Sequence, residues 1–357
     1  MKKIMFYLPS LNVGGAESVS VNILNEIECN SNEIFLITND DSGFLKSRVN
    51  DYVKVISLRT SSKYLSLIRM IKLIKEIEPD IIYSTLFRSH MLLSVIKFIT
   101  KSKAKYIFRS PNSPQRLKEY KQLSWFEHNL ISLCYKYCHV VIAQTPEMKD
   151  EIADIYKVDA NKIKVMINPI DSKYINKCLS EDCNLSLCFD ENKFNIVASG
   201  RITEQKGFDI LIDAMVGVIQ EKSNVHLYIL GEDVIGLQKE LELKAYELDL
   251  SESITFLGFV ENPYVYYKYC DLFVSSSRWE GLPNTLIECR YLNTKVVATK
   301  SVPFINELIE DGVDGLIVPE LNSLSIQNTI IDSFNLTNLK SKSKKSHSKN
   351  SVIFEIF

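Results

Sequence analysis

Short apolar runs alternate along this chain with amphipathic stretches of about a dozen residues, a pattern typical of parallel sheets covered by helices. In the first half, the runs that predict strands are KIMFYL, EIFLIT, VKVISL, DIIYST, AKYIF, HVVIAQ and KIKVMI. The alternation pauses after INPID and then resumes with NIVASG, VHLYILG, ITFLGF, DLFVSSS, KVVATK and GLIVP. The pattern predicts an α/β protein made of two doubly wound parallel-sheet lobes that face a cleft.

One helix shows how the amphipathic stretches are interpreted. The segment YLSLIRMIKLIKEIEP, residues 64–79, is predicted to be helical until Pro79 stops it. Its predicted apolar stripe consists of Leu65, Ile68, Ile71, Ile74 and Ile77, with the basic residues outside it.

The domain boundaries follow from where the alternation pauses. Residues 1–171 are predicted to form the N-terminal lobe, 172–193 a linker, and 194–338 the C-terminal lobe. Residues 339–357 form a tail with a basic, serine-rich part, SKSKKSHSK, and an apolar end, NSVIFEIF. We expect the apolar end to return to the N-terminal lobe.

Composition limits the class of protein. Hydrophobic residues make up 46% of the 357 positions, as in a globular protein, and no apolar run approaches the ~20 residues of a membrane span. The first apolar run is too short for a signal peptide, so a cytoplasmic protein with reduced thiols is predicted. The clustered Cys178, Cys183 and Cys188 lack a histidine or a Cys-x-x-Cys pair, and no metal site is predicted.

Charge is divided unevenly along the chain. Residues 1–170 contain 24 Lys and Arg against 17 Asp and Glu, whereas the remainder contains 18 against 27. Residues 60–138 are the most basic part, with 14 cations and five acids. A surface of this kind attracts anionic lipid headgroups, a phosphorylated substrate or nucleic acid, although ordinary solvated lysines would give the same count.

Three loops at predicted strand ends could hold a phosphate, because glycine allows close approach and the next helix offers free N–H groups. The first contains Gly14 and Gly15. The second carries Arg201 and Lys206, five positions apart, which a diphosphate would bring together unless both are merely solvated. The third precedes a helix expected near Asn284, with Glu280 ahead of that helix and Glu288 inside it.

Two carboxylates beside a phosphate site need partners that donate hydrogen bonds, and hydroxyl groups do so. A ligand with phosphates in its middle and polyols at both ends is a nucleotide sugar. No G-x-G-x-x-G or G-x-x-x-x-G-K-[ST] occurs, which disfavours a dinucleotide or ATP site. No Asp-x-Asp lies at a strand end, so the diphosphate charge is expected to meet Arg201, Lys206 and helix dipoles rather than a metal or another cofactor.

The sequence resembles the family 4 (group 1) retaining glycosyltransferases of the GT-B fold. The resemblance is collinear over about residues 5–320. The segments that carry it are Gly14-Gly15-Ala16-Glu17, NPID at 168–171, SGRITEQKGFDILIDA, ILGED, FLGFV, the E-x7-E of EGLPNTLIE, and KVVATKSVPFINELIEDGVDGLIVP.

The resemblance implies a role for each matching position. Arg201 and Lys206 would bind the diphosphate together with the amides of Gly15 and of the turn after Glu280; Glu288 would bind the ribose hydroxyls, and Glu280 would hold the donor sugar. The implied donor-binding set is Gly14, Gly15, Arg201, Lys206, Gly231, Glu232, Phe259, Val260, Glu280, Gly281, Leu282, Pro283, Asn284, Thr285 and Glu288.

One departure concerns the reacting carbon. Family members commonly carry a histidine after the fifth strand, where this chain has RSPNSP, with Asn112 at the corresponding place. Asn112 therefore joins Glu280, Arg201 and Lys206 in the predicted catalytic set, and Arg109 joins Asn112 as acceptor-binding. His90 is an alternative substitute, although a lone histidine near a helix start is more often structural.

The acceptor is expected on the N-terminal lobe, where the basic belt from Lys63 to Lys121 interleaves with Tyr106, Phe108, Trp125 and Phe126. The prediction is a UDP-linked hexose or N-acetylhexosamine donor, a polyprenyl diphosphate-linked saccharide acceptor in O-antigen or capsule assembly, contact with an anionic membrane surface, and no nucleic acid partner. A nucleotide-sugar 2-epimerase and an inactive sugar-nucleotide-binding protein stay open as alternatives.

Overall fold

The computed structural model describes residues 1–181, 188–335 and 351–357. Two compact units divide them: Met1–Ile170 together with the C-terminal helix, and a second unit that begins at Asp171. We call them the first lobe and the second lobe.

The first lobe contains a parallel sheet in which seven strands are described, in the order β3-β2-β1-β4-β5-β6-β7. The strands are β1 (Lys2–Tyr7), β2 (Asn32–Thr38), β3 (Lys54–Ser57), β4 (Ile81–Ser84), β5 (Lys105–Arg109), β6 (Val140–Ala143) and β7 (Ile163–Val165). Continuous apolar runs form these strands because helices cover both faces of the sheet. Each of the seven predicted strands is confirmed.

Helices cover the first sheet in two layers. They are α1 (Gly15–Glu26), α2 (Lys63–Ile77), α3 (Phe87–Thr100), α4 (Pro114–Glu119), α5 (Trp125–Tyr137) and α6 (Pro146–Tyr156). Strand residues alternate between two cores, with Met5 and Tyr7 packed on the side of α2, α3, α5 and α6, and Ile4 and Phe6 on the side of α1.

Helix α2 confirms its predicted apolar stripe only in part, because Ile71, Ile74 and Ile77 pack against the core. Its buried residues are Ser66, Met70 and Ile74, whereas Leu65 and Ile68 are exposed. Apolar residues occur almost all the way round this helix, so its periodicity alone does not settle which side faces the core.

The second lobe contains a parallel sheet with strand order β10-β9-β8-β11-β12-β13. The strands are β8 (Phe194–Ser199), β9 (Val225–Leu230), β10 (Ile254–Gly258), β11 (Leu272–Ser275), β12 (Val296–Thr299) and β13 (Leu316–Val318), which confirms the six predicted strands. The helices are α7 (Ser172–Ser180), α8 (Phe208–Glu221), α9 (Gln238–Glu247), α10 (Pro263–Tyr269), α11 (Asn284–Tyr291), α12 (Ile305–Leu308) and α13 (Ser323–Phe334).

The segment predicted as a linker begins with helix α7. Asp171 caps this helix by accepting from Tyr174 N, and α7 packs against α10 in the second lobe. Residues 182–187 of the predicted linker, including Cys183, lie outside the described residues, as do residues 336–350 with the basic part of the tail.

The apolar end of the chain packs on the first lobe. Its helix α14 (Ser351–Ile356) contributes Ile353 and Ile356 to the core beside α1. The Phe357 ring stacks on Phe6 with 5.6 Å between centroids, and Lys105 Nζ donates to the Ile356 carbonyl at 2.7 Å. The C-terminal segment is therefore part of the first lobe.

Candidate active site

The second sheet reverses its strand order between β8 and β11, and the loops that follow these two strands meet there. In doubly wound sheets, ligands bind at the carboxyl ends of the strands at such a switch point. The loop after β8 carries Arg201 and Lys206, and the loop after β11 carries Glu280. Topology alone thus brings the two predicted loops together.

Backbone contacts hold these two loops side by side. Arg278 N donates to the Gln205 carbonyl at 2.8 Å, and Ser276 Oγ donates to the Lys206 carbonyl at 2.9 Å. Gly207 has φ 64°, and a Cβ there would lie 2.2 Å from the Ser276 carbonyl oxygen. Only glycine fits at this crossing.

A bidentate ion pair joins the loop after β11 to the first turn of α8. Arg278 donates to both carboxylate oxygens of Asp209, at 2.8 and 2.6 Å, and also to the Glu204 carbonyl at 2.7 Å. Partial burial opposes ionisation of Asp209, but the Arg278 hydrogen bonds prevail and hold the pKa of Asp209 below its usual value.

Lys206 and Glu280 form a direct ion pair at the centre of the site. Lys206 Nζ lies 2.6 Å from Glu280 Oε1, which also accepts from Ser277 Oγ at 2.8 Å. Gln205 Nε2 lies 3.4 Å from Glu280 Oε2 and 2.8 Å from the Trp279 carbonyl. Glu280 is only 9% exposed, so its carboxylate is oriented by side chains of both loops.

Glu288 lies inside α11, as predicted, on the side of Tyr267. The Tyr267 hydroxyl forms a 2.7 Å hydrogen bond with Ser199 at the end of β8. Burial raises the pKa of the Tyr267 phenol well above its ordinary value, and the charge of Glu288 adds to the rise. Tyr267 thus links the end of β8 to the helix that carries Glu288.

Arg201 is exposed and makes no ion pair among the described residues. The next residue, Ile202, donates its N–H to the Glu232 carbonyl at 2.9 Å, which joins the loops after β8 and β9. A Cβ on Gly231, which has φ 152°, would lie 1.9 Å from the Gly200 carbonyl oxygen, so this approach also requires glycine.

The remaining predicted donor positions lie at neighbouring loops. Phe259 follows β10 and is 46% exposed, with Val260 beside it half-buried. The turn from Gly281 to Thr285 leads into α11, where Pro283 is the N-cap residue and provides no side-chain cap in the described structure. Helix α11 follows β11, so it begins at the carboxyl edge of the second sheet, where the positive end of a helix dipole favours an anion.

The glycine pair of the first lobe also lies at a switch point, because the strand order there reverses between β1 and β4. Gly14 is the N-cap of α1, and Gly15 is its first residue. The Glu17 carboxylate lies against Gly14, 2.2 Å from where a Cβ would be. An anion at this helix start would thus have to displace the Glu17 side chain.

The predicted acceptor residues have different surroundings. Arg109 is 1% exposed; it donates to Thr85 Oγ1 at 3.1 Å and to Asn168 Oδ1, and burial lowers the pKa of its guanidinium. Asn112 lies half-buried in the loop after β5, where its carbonyl accepts from Ser110 Oγ at 3.0 Å.

His90 does not present a catalytic imidazole. It is completely buried, its Nε2 lies 3.1 Å from the Ser84 carbonyl, and its ring stacks on Phe108 at 4.5 Å. Burial lowers the pKa of His90 to about 3, so the ring is neutral and part of the core. Tyr106 and Phe108, predicted to line the acceptor surface, are likewise buried, because both point from β5 into the core beneath α3 and α5.

Sequence reasoning missed the residues that align the two loops: Gln205, Asp209, Ser277 and Arg278. The available signal was the paired polar runs after β8 and β11, each ending in charged residues.

Among the described residues, no cluster of His, Cys, Asp or Glu has the arrangement of a metal site, and the seven cysteines there are free thiols. No helix among those residues combines the length and apolar character needed to cross a bilayer.

The fold and the site define a two-lobed GT-B glycosyltransferase. The family model for glycosyl transferases group 1 matches residues 186–350, and the model for glycosyltransferase family 4 matches residues 13–174. The chain belongs to this group 1, family 4 class of glycosyltransferases.

Two related sequences align with more than two thirds of this chain. An uncharacterized glycosyltransferase of Methanocaldococcus jannaschii is 29% identical over 71% of this chain and 62% of its own length. The Campylobacter jejuni N-acetylgalactosamine-N,N'-diacetylbacillosaminyl-diphospho-undecaprenol 4-alpha-N-acetylgalactosaminyltransferase is 25% identical over 91% of this chain and 88% of its own length.

Solved structures with the same fold include Anabaena HepE in complex with UDP and glucose, with a TM-score of 0.79, 20% identity, and coverage of 100% of this chain and 96% of that one. Staphylococcus aureus TarM in complex with UDP has a TM-score of 0.80 at 14% identity, with coverage of 100% and 99%. At these sequence identities, both similarities establish a shared fold alone.

Proposed function

We propose that this glycosyltransferase moves a hexose or N-acetylhexosamine from a UDP-linked donor, with retention of configuration and without a metal ion, to a polyprenyl diphosphate-linked saccharide. The pathway is assembly of a surface polysaccharide such as O-antigen or capsule, at the inner face of the cytoplasmic membrane. The names of the relatives support this choice, since one acts on a diphospho-undecaprenol-linked saccharide and another is a lipopolysaccharide core mannosyltransferase.

The observation that carries the proposal is the Lys206–Glu280 pair at the switch point of the second sheet. A lysine ammonium has three donors, so Lys206 can keep Glu280 and still bind a diphosphate oxygen. Glu280, fixed by Ser277 and Gln205, is then placed to accept hydrogen bonds from the sugar of the same donor. We assign the ribose hydroxyls to Glu288, which lies on α11, the helix that follows the loop of Glu280.

The chemistry follows from where charge develops. As the bond between the anomeric carbon and the diphosphate breaks, the sugar becomes oxocarbenium-like and the leaving group gains negative charge. Lys206, the exposed Arg201 and the first-turn amides of α11 would stabilise that charge. The acceptor hydroxyl then attacks the anomeric carbon from the face that the diphosphate leaves, and its proton passes to an oxygen of the leaving diphosphate. Asn112 is the proposed contact with the acceptor in the first lobe, and the buried Arg109 would act on the acceptor through its charge.

The test is a transfer assay with a panel of nucleotide sugars and a polyprenyl diphosphate-linked saccharide, with and without EDTA. We expect product only with a UDP-linked donor, with the α or β configuration of that donor kept, unaffected by EDTA, and abolished by Glu280→Ala. Interconversion of the donor without acceptor would instead indicate the epimerase. Donor binding by calorimetry with no turnover for any acceptor would indicate the inactive binding protein.

A further inference from the structure

The outer surface of the first lobe concentrates exposed hydrophobic side chains on three neighbouring helices. Ten of the 21 exposed large hydrophobic side chains among the described residues lie on α2, α3 and α5, with α3 between the other two. They are Tyr64, Leu65, Ile68, Val95, Phe98, Ile99, Trp125, Phe126, Leu133 and Tyr137. We call these ten side chains the α2–α3–α5 face.

The exposure at this face is large. Phe98 is 86% exposed, Trp125 80% and Phe126 63%. The C-terminal ends of α3 and α5 are joined by Lys97 Nζ, which donates to the Tyr137 carbonyl at 2.6 Å. Large exposed apolar side chains gathered on neighbouring helices indicate an interaction site rather than random scatter.

Charge identifies the partner. The sequences of α2, α3 and α5 contain seven Lys and Arg and only two acids. The next helix of the same layer, α6, contains four acids and one lysine and exposes none of the large hydrophobic side chains. The basic and apolar character therefore stops at one edge of the layer.

We propose that the α2–α3–α5 face binds the surface of an anionic lipid bilayer, with the three helices lying in the interface and Trp125, Phe126 and Phe98 inserted among the lipid headgroups. Aromatic side chains with lysines beside them are typical of interfacial helices. Protein interfaces are depleted in lysine, which disfavours a protein partner for this face. The inference rests on the membrane location in the proposed function and deepens it by naming the face that binds the lipid, but it does not depend on the identity of the donor or acceptor.

The sequence predicted a basic belt interleaved with four aromatic residues, of which Trp125 and Phe126 are exposed and Tyr106 and Phe108 are buried. Salt screens the attraction between lysines and anionic headgroups, but it does not weaken apolar insertion. We therefore expect binding to anionic vesicles to fall with added salt to a residual level, rather than to vanish.

Trp125 supplies a specific probe. The chain has two tryptophans, and the other, Trp279, is 4% exposed. Vesicles containing equal parts phosphatidylglycerol and phosphatidylcholine should shift the emission of the full-length protein to shorter wavelength, and brominated lipids should quench it. Trp125→Phe keeps an aromatic side chain and should still sediment with these vesicles, but without the spectral shift.

Variants test which side chains carry the binding. Trp125→Ser/Phe126→Ser should weaken vesicle binding by roughly tenfold or more, since two inserted aromatic rings are lost. Lys72→Gln/Lys75→Gln should weaken it by a similar factor at low salt only, at roughly fivefold for each cation removed. The matched control is Leu243→Ser/Tyr246→Ser on α9, two exposed side chains, 56% and 71%, in the second lobe, which should leave binding unchanged.

Three results would overturn the proposal. They are no sedimentation of the unaltered protein with anionic vesicles, equal loss in the α9 control, and a dimer in solution that Trp125→Ser/Phe126→Ser converts to a monomer, which would assign the face to a second copy of the chain. Calorimetric binding of UDP by the same variants keeps this test separate from the proposed function. Failure of the membrane inference leaves UDP binding intact, whereas failure of the donor proposal leaves vesicle binding intact.

Discussion

Each lobe places a cation at the carboxyl edge of its sheet, but the surroundings of the two cations are opposite. Lys206, after β8, is partly exposed and lies 2.6 Å from the Glu280 carboxylate. Arg109, at the end of β5, is 1% exposed and is bonded to the neutral side chains of Thr85 and Asn168. No carboxylate among the described residues forms a salt bridge with Arg109.

The difference separates two ways of using positive charge. An ammonium in a partly exposed ion pair loses little when a ligand oxygen joins it, so Lys206 is suited to a transient anion. A buried guanidinium without a counter-ion is costly, and burial accordingly lowers the pKa of Arg109. Buried groups that cost stability occur at functional sites, so Arg109 is a candidate for a functional role.

The largest effect is expected at Lys206. Lys206→Ala removes the cation that we assign to the departing diphosphate and should lower kcat/KM for transfer by about a hundredfold to a thousandfold. Lys206→Arg should recover part of the loss, because charge is restored with a different shape. Steady-state kinetics with a UDP-linked donor measure both.

A matched lysine in the same lobe controls for loss of an ion pair as such. Lys244 Nζ lies 2.7 Å from Asp213, away from the switch-point loops, and the side chains are about one-third exposed. Lys244→Ala should leave kcat/KM unchanged. Equal losses in Lys206→Ala and Lys244→Ala would contradict the role of Lys206.

The sequence predicted the strands and the two loops of the second lobe well, because apolar runs, glycines and charged loop residues are local signals. The Lys206–Glu280 contact joins residues 74 positions apart, and no local pattern encodes it. The burial of Arg109 and of Tyr106 was missed for a related reason. A strand in a doubly covered sheet is buried to its end, so a polar or aromatic residue there faces the core instead of the solvent.

The next effect concerns Arg109. Arg109→Met replaces a buried charge, which costs stability, with an uncharged side chain of similar length. The thermal midpoint of unfolding should therefore stay constant or rise. Transfer activity should fall by about tenfold or more if Arg109 serves the acceptor. Calorimetry and transfer kinetics on one preparation separate the two readouts. A lowered midpoint with unchanged kcat/KM would make Arg109 purely structural.

Arg290 provides the contrasting variant for that experiment. It forms a bidentate ion pair with Asp314, which is 3% exposed. Arg290→Met leaves a buried carboxylate without its cation and should destabilise the protein by about 3–5 kcal/mol. The comparison fails if both arginine variants shift the midpoint alike.

The smallest effect is expected in the pH dependence of stability. It compares one histidine from each lobe, His90 in the first and His226 in the second. Burial lowers the pKa of His90 to about 3 and, with help from Lys193, lowers the pKa of His226 to about 4. An unfolded histidine titrates near 6.5, so the unfolded state binds more protons below that pH and stability is lost as the pH falls. For the fully buried His90, the loss between pH 6.5 and 5 should be about 2 kcal/mol.

His90→Gln should flatten this part of the stability curve, since an amide can still donate to the Ser84 carbonyl but takes up no proton. Denaturant unfolding at pH 6.5, 5.75 and 5 measures the slope, in a range where most carboxylates stay ionised. His226→Gln is the matched variant, and its smaller effect should appear in the unfolding of the second lobe. An unchanged slope in His90→Gln would mean that the buried imidazole does not set the acid sensitivity of the first lobe.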